Sequence, residues 1–381
     1  MPAKEEKGDT GLLGESVALG LFFVFWYAGN VKYNEYNKGA LSSLCDGEPA
    51  GCKGKEQGLT MTISTMQLGV CAAYAIVMWI IRLNPIKLCG LCGPEKQPVP
   101  ALGFGDIMKT LPVGICSAGA HSSSVFALGG DPLFGQIVKA GEPVISAVVG
   151  TAVYNKSPSV PKWLCLPIIV GGVAFASMTP AASGHVGPRV LGYSLSFSAA
   201  AMAFGIVANV ASAFKGGENA KLSSDDDNVD AAAKGTTHAQ RMGGLGNQFA
   251  LTQAISFFAS LPLAWLLEGR EWGLFVATAS RSPTFAANVF FSGIAFYIYD
   301  ELATMTVKAA GPVTSSVANT AKRVVVMVYM AAYTGIPLTT EQKQGAAVAF
   351  VGVFLYSVVD DVLGAGVAVH VAAAKPKPKR D

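Results

Sequence analysis

Hydrophobic residues occur along this chain in long uncharged blocks separated by short polar stretches, a spacing set by the thickness of a bilayer and not by the period of a surface helix. Such blocks cover residues 16–31, 60–81, 110–130, 163–188, 190–214, 242–267 and 282–299. Crossing about 30 Å of hydrocarbon takes about 20 helical residues, so each block can span, some with help from its flanks. Three further blocks complete the set: 344–359, and two that tolerate charge, 132–154 with Lys139 and Glu142 and 312–333 with Lys322 and Arg323. The pattern predicts an all-α membrane protein of ten transmembrane helices.

Composition agrees with that setting. Of 381 residues, 51% are hydrophobic and 14% charged, against about a quarter charged in soluble domains. An even number of crossings puts both termini on one side. With Lys139, Lys308, Lys322 and Arg323 set aside, 16 of the other 24 Lys and Arg fall on that side, including the basic tail Lys375-Pro-Lys377-Pro-Lys379-Arg380. The positive bias predicts that the termini face the compartment from which insertion begins. Residues 1–12 read as a polar tail without the Arg-rich, acid-poor character of a transit peptide, and 365–381 as a basic tail.

Two charged crossings stand in related contexts. Gln136-Ile-Val-Lys139 aligns with Asn319-Thr-Ala-Lys322 at an offset of 183, and Gly172-Val-Ala-Phe-Ala-Ser177 with Gly352-Val-Phe-Leu-Tyr-Ser357 at an offset of 180. This predicts two five-helix repeats, 13–185 and 186–364, the second carrying a polar linker over 216–244. With five crossings each, such repeats must be inverted, which places a binding site at the midplane between them. Lys139 and Lys322 would face each other there. Pro143, Pro167 and Pro180 are expected to bend helices around the cavity.

Lys322 and Arg323 are the strongest chemical signal. Each charge at bilayer depth costs about 2.5–3.5 kcal/mol on insertion scales, and Val324 to Val328 continue the apolar helix beyond them. Lys supplies a mobile point charge, while Arg supplies a planar fork matching two phosphate oxygens, so the pair points to an anion. Lys139 has a structural alternative, a local pair with Glu142 one turn away. His121 and Ser124 share one face of the third crossing, and Tyr299 ends the eighth, where an interfacial belt position is the plain reading. Cys89-Gly-Leu-Cys92 has a zinc-like spacing, but a structural site needs four ligands, so neither metal nor cofactor is expected. Without a glycine-rich loop ending in Gly-Lys-Ser/Thr, an ATP-driven engine is not indicated, and no feature suggests nucleic acid.

Several of these stretches resemble the plastidic phosphate translocators. They are Phe25-Trp-Tyr-Ala-Gly-Asn30, Gln136-Ile-Val-Lys139-Ala-Gly-Glu142-Pro143, Tyr299-Asp-Glu-Leu-Ala, Asn319-Thr-Ala-Lys322-Arg323-Val-Val-Val and Gly352-Val-Phe-Leu-Tyr-Ser357. One departure is Gly135-Gln136, where that family has Thr-His. The resemblance implies a drug/metabolite transporter fold that exchanges inorganic phosphate for phosphorylated C3, C5 or C6 compounds across the plastid inner envelope. It implies phosphate-binding roles for Lys139, Lys322 and Arg323, pocket roles for His121 and Tyr299, and a pocket hydroxyl at Ser124. Phosphoenolpyruvate members tend to carry Asn where His121 stands, so triose phosphate or 3-phosphoglycerate is the expected partner of phosphate. Pentose-phosphate, hexose-phosphate and phosphoenolpyruvate exchange for phosphate remain alternatives. A nucleotide-sugar transporter would leave the doubled cation without purpose. A membrane-embedded phospholipid transferase would rest on Asp360-Asp361 or on Asp225-Asp226-Asp227 for Mg²⁺, and an enzyme is not expected.

Overall fold

The computed structural model describes residues 10–43, 59–83, 99–130, 132–176, 178–180, 189–190, 193–195, 199–228, 238–335 and 338–372. The helices are α1 (Thr10–Ser42), α2 (Thr60–Ile81), α3 (Phe104–Gly130), α4 (Pro132–Lys139), α5 (Glu142–Tyr154), α6 (Val160–Ala176), α7 (Ala199–Asn228), α8 (His238–Met242), α9 (Leu245–Glu268), α10 (Trp272–Arg281), α11 (Pro283–Thr334) and α12 (Thr340–Ala372). Each of the ten predicted segments contains helix, though the blocks at 163–188 and 190–214 are helical only in part among the described residues. Among the described residues, five segments are long and apolar enough to cross on their own: Thr60–Ile81, Phe104–Leu128, Gly135–Tyr154, Gly246–Arg281 and Thr340–Asp360.

The distribution of side chains is that of a membrane protein. Large apolar residues face outward, among them Ile80, Leu164, Leu266 and Phe258, whereas Asn37, Ser64, Thr65 and Gln67 are buried. Hydrocarbon makes that arrangement favourable, because apolar groups cost nothing at the lipid face while polar groups must find partners inside.

The helix α11 contains both the eighth and ninth predicted crossings. Run straight, it would carry Lys322 about 35 Å beyond Tyr299 at the α-helical rise, yet the Lys322 ammonium lies 5.6 Å from the centre of the Tyr299 ring. The chain therefore folds back between these residues, and α11 consists of two arms. The interval holds Gly311-Pro312, and Pro312 has no N–H to continue the helical ladder.

The fourth crossing is broken where the sequence predicts continuity. Helix α4 ends at Lys139 and α5 starts at Glu142, because Pro143 cannot donate to the Lys139 carbonyl and is instead well placed in the first turn of a new helix. At the break the Val138 carbonyl accepts from the Gly141 N–H at 3.0 Å and from the Asn209 side-chain amide of α7 at 3.0 Å. Other departures are smaller. The fifth crossing ends at Ala176 and the sixth begins at Ala199, with short strands β1 (Met178–Pro180), β2 (Arg189–Val190) and β3 (Tyr193–Leu195) between them. These pair antiparallel in the order β1-β3-β2, so Pro180 lies in a strand and bends no helix. The predicted linker at 216–244 is helical as far as Asn228, and α10 was not anticipated. The cysteine pairs at 45/52 and 89/92 and both chain ends lie outside the described residues.

Packing follows the twofold pattern. Helix α1 packs along α11, α3 along α7, α2 along α9 and α6 along α12, with further α2–α11 and α3–α9 contacts. Exchange the first five segments for the last five in order: α1–α11 becomes α7–α3, α2–α11 becomes α9–α3, and α2–α9 and α6–α12 return to themselves. The α6–α12 crossing is tight enough to require glycine. A Cβ on Gly172 would stand 2.3 Å from the Ala349 nitrogen, and one on Gly345 would stand 2.2 Å from the Ala176 nitrogen. Elsewhere, Glu268 at the end of α9 accepts from the Met61 and Thr62 N–H groups at 2.9 and 2.6 Å, capping α2.

Candidate functional site

The break between α4 and α5 orients two charges in different directions. Lys139 and Glu142 no longer share one helical face, so the local pair considered from the sequence does not form. Lys139 instead donates to Ser124 Oγ on α3 at 3.1 Å, while Ser124 donates to the Ala120 carbonyl at 2.6 Å. Glu142 pairs with Arg323 on the second arm of α11 at 2.5 Å. That contact ties the fourth segment of one half to the ninth segment of the other.

Lys139, Ser124, His121 and Tyr299 line one cavity of about 110 Å³, together with Tyr33, Ser117, Ser212, Lys215, Phe296 and Asp300. Lys322 sits against its wall, with its ammonium 5.0 Å from the centre of the Trp26 ring and 5.6 Å from that of Tyr299. Aromatic faces hold a cation without neutralising it, unlike a carboxylate. Tyr27 donates to the Ala318 carbonyl at 2.6 Å, fixing α1 against the arm that carries Lys322 and Arg323. Asp300 and Lys215 approach to 3.7 Å across α11 and α7. Summed formally, Lys139, Lys215, Lys322 and Arg323 against Glu142 and Asp300 give +2, the charge that a phosphate dianion cancels.

His121 is placed differently from a simple pocket donor. Its Nε2 faces Gln67 Oε1 on α2 at 3.0 Å, and the Gln67 amide donates to Asn37 Oδ1 and Ser292 Oγ, both at 2.9 Å. Those two bonds use the amide N–H groups, so Gln67 turns its oxygen toward the imidazole and fixes the ring. The imidazole packs 4.1 Å from Phe296, centre to centre. Tyr299 is buried between Tyr33 and Phe296, with ring centres 5.5 and 5.6 Å away, so it is not an interfacial belt residue. Of the residues singled out from the sequence, His121, Ser124, Lys139 and Tyr299 line the cavity, Lys322 packs on the Tyr299 ring, and Arg323 pairs with Glu142. The structure adds Gln67, Asn37, Asp300 and Lys215, whose signal was polar side chains within or beside apolar helices. A buried contact between Gln136 and Asn34 at 3.2 Å further joins α4 to α1.

Fold and site together define a polytopic α-helical membrane protein with a cationic cavity where its two halves meet. Comparison with known proteins gives the family. Residues 17–357 match the model of the Triose-phosphate Transporter family, and the chain belongs to that family. It is 26% identical over 371 residues to the chloroplastic triose phosphate/phosphate translocator of Brassica oleracea var. botrytis, covering 94% of this chain and 77% of that one. It is 28% identical over 355 residues to the chloroplastic phosphoenolpyruvate/phosphate translocator 3 of Oryza sativa subsp. japonica, covering 92% and 76%. To phosphoenolpyruvate/phosphate translocator 1 of Arabidopsis thaliana it is 25% identical over 391 residues, covering 100% and 78%.

Proposed function

We propose that this protein is an obligatory antiporter of a plastid-bounding membrane, exchanging triose phosphate or 3-phosphoglycerate for inorganic phosphate. The observation that carries the reading is the cavity lined by Lys139 and Lys215, with Lys322 packed on its Tyr299 wall and Arg323 beside it in sequence. Lys139 and Lys322 hold the phosphate as point charges, and Arg323 presents a fork to two of its oxygens. Ser124 and Tyr299 contact the ester, with His121 fixed by Gln67 at the cavity wall. Residues 13–185 and 186–364 act as the two inverted repeats that rock about this site.

Coupling follows from charge. Closing the cavity empty would seal several cations in a low-dielectric space with too few counter-charges, at a cost of several kcal/mol. A phosphate dianion removes most of that cost, so occlusion and reorientation occur with substrate bound. The step uses neither a covalent intermediate nor a nucleotide. Phosphoenolpyruvate exchange is the second reading, supported by the 28% identity to a translocator of that name.

The test is uptake of labelled phosphate into liposomes holding the purified protein and preloaded with one trans compound. Phosphate and C3 phosphates should drive uptake, and hexose phosphates and nucleotide sugars should not. Uptake that is the same with every internal compound, or absent with all phosphates, would overturn the proposal.

A further inference from the structure

Asp300 follows Tyr299 on α11 and lines the same cavity as Lys139 and Ser124. Its carboxylate faces Lys215 of α7 at 3.7 Å, a loose ion pair in which both side chains remain about a quarter exposed. A cavity assembled for anions therefore carries one fixed negative charge in its own wall. An ionised carboxylate can only accept hydrogen bonds, so whatever part of a substrate meets Asp300 must donate.

We propose that Asp300 sets the charge class of the transported ester, admitting carbon moieties that end in hydroxyl groups and disfavouring those that end in a carboxylate. The inference rests on the phosphate-exchange reading and divides its two C3 substrates. A phosphate dianion at Lys139, Lys322 and Arg323 already balances the site. The hydroxyl of dihydroxyacetone phosphate or glycerol 3-phosphate can then donate to Asp300. In 3-phosphoglycerate or phosphoenolpyruvate a third negative charge arrives at a balanced site and faces a like charge. Two carboxylates about 6 Å apart at an effective dielectric near 20 repel enough to weaken binding about 100-fold. Lys215 beside Asp300 offsets part of that, leaving an expected discrimination of about 10-fold.

Glycerol 3-phosphate and 3-phosphoglycerate form a matched pair, differing at one carbon between hydroxymethyl and carboxylate. Each is offered as trans substrate to liposomes, and its exchange rate is divided by the phosphate/phosphate homoexchange of the same protein. The wild type should favour glycerol 3-phosphate by about 10-fold. Asp300→Asn keeps size and hydrogen-bonding capacity and should bring that ratio to about one or below. Lys215→Gln leaves Asp300 without its cation and should raise the ratio. A wild-type ratio near one, or a ratio that moves in neither variant, overturns the inference while homoexchange persists. Loss of activity in Asp300→Asn leaves the decision to the wild-type ratio and Lys215→Gln. Absence of homoexchange in the wild type itself would instead remove the phosphate-exchange reading on which the inference rests.

Discussion

Replacing Arg323 by Ala tests both the phosphate site and its apo-state partner. Arg323 is buried and pairs with Glu142 at 2.5 Å. The substitution removes a cation that would stand about 4 Å from the anion, worth about 4 kcal/mol at an effective dielectric near 20, or about three decades in affinity. Glu142, about 7 Å from phosphate, repels it by about 2.4 kcal/mol, or about 50-fold, with or without Arg323. Adding Glu142→Gln to Arg323→Ala should therefore recover about 50-fold and leave the rest of the loss in place. The assay is phosphate affinity from the concentration dependence of phosphate/phosphate exchange in liposomes, with thermal stability in detergent measured on the same preparations. Arg323→Ala within about threefold of wild-type affinity would refute the phosphate-site assignment. A double variant weaker than the single one would show that Glu142 is not the charge left behind.

Two further substitutions probe other parts of the account. Lys139→Gln should weaken phosphate exchange by at least about 10-fold without loss of thermal stability, because Lys139 bonds Ser124 at 3.1 Å and has no pairing with Glu142 to lose; a stability loss with unchanged phosphate affinity would restore a structural role. Gly172→Ala forces a methyl to 2.3 Å from the Ala349 nitrogen, which must separate α6 from α12 and should cost about 1–3 kcal/mol of stability. An unchanged melting temperature in detergent would mean that the two halves do not bear on each other at that crossing.

Much of the fold was legible because hydrocarbon imposes length and apolarity on every crossing. The block 60–81 coincides with α2, and the separate blocks at 282–299 and 312–333 anticipated the two arms of α11. What the pattern concealed depends on backbone accounting and not on hydropathy. The break after Lys139 follows from the missing N–H of Pro143, but the block 132–154 is apolar enough on both sides of Lys139 and Glu142 to read as one crossing. Helix α7 continues through 216–228 because a polar helix beyond the membrane needs no apolar stripe, so composition alone resembled a linker. Strands β1 to β3 occupy a stretch whose hydropathy matched a crossing.

At the site, the cations were visible because charge within an apolar helix has few innocent explanations. Their pairing was not. A separation of three residues joined Lys139 to Glu142 on paper, whereas the interruption at Ala140-Gly141 sends Glu142 to Arg323, 181 positions away. Gln67 was hidden by its place in the otherwise ordinary run Thr60-Met-Thr-Ile-Ser-Thr-Met-Gln67, and only the fold reveals that it fixes His121. Asp300 was noticed as a neighbour of Tyr299, but its presence in the cavity wall is a property of the folded α11.

The central claim is that the empty carrier does not return, because its cationic cavity closes favourably only around an anion. The most direct measurement is efflux of labelled phosphate from loaded liposomes into medium that either lacks or contains a transported anion. The account predicts slow efflux into anion-free medium and a steep rise when phosphate or a triose phosphate is added outside, with unphosphorylated glycerone or glycerate leaving the slow rate unchanged. Equal efflux with and without external anion would mean that the empty protein reorients freely, and would contradict charge-gated exchange in favour of a uniporter or channel.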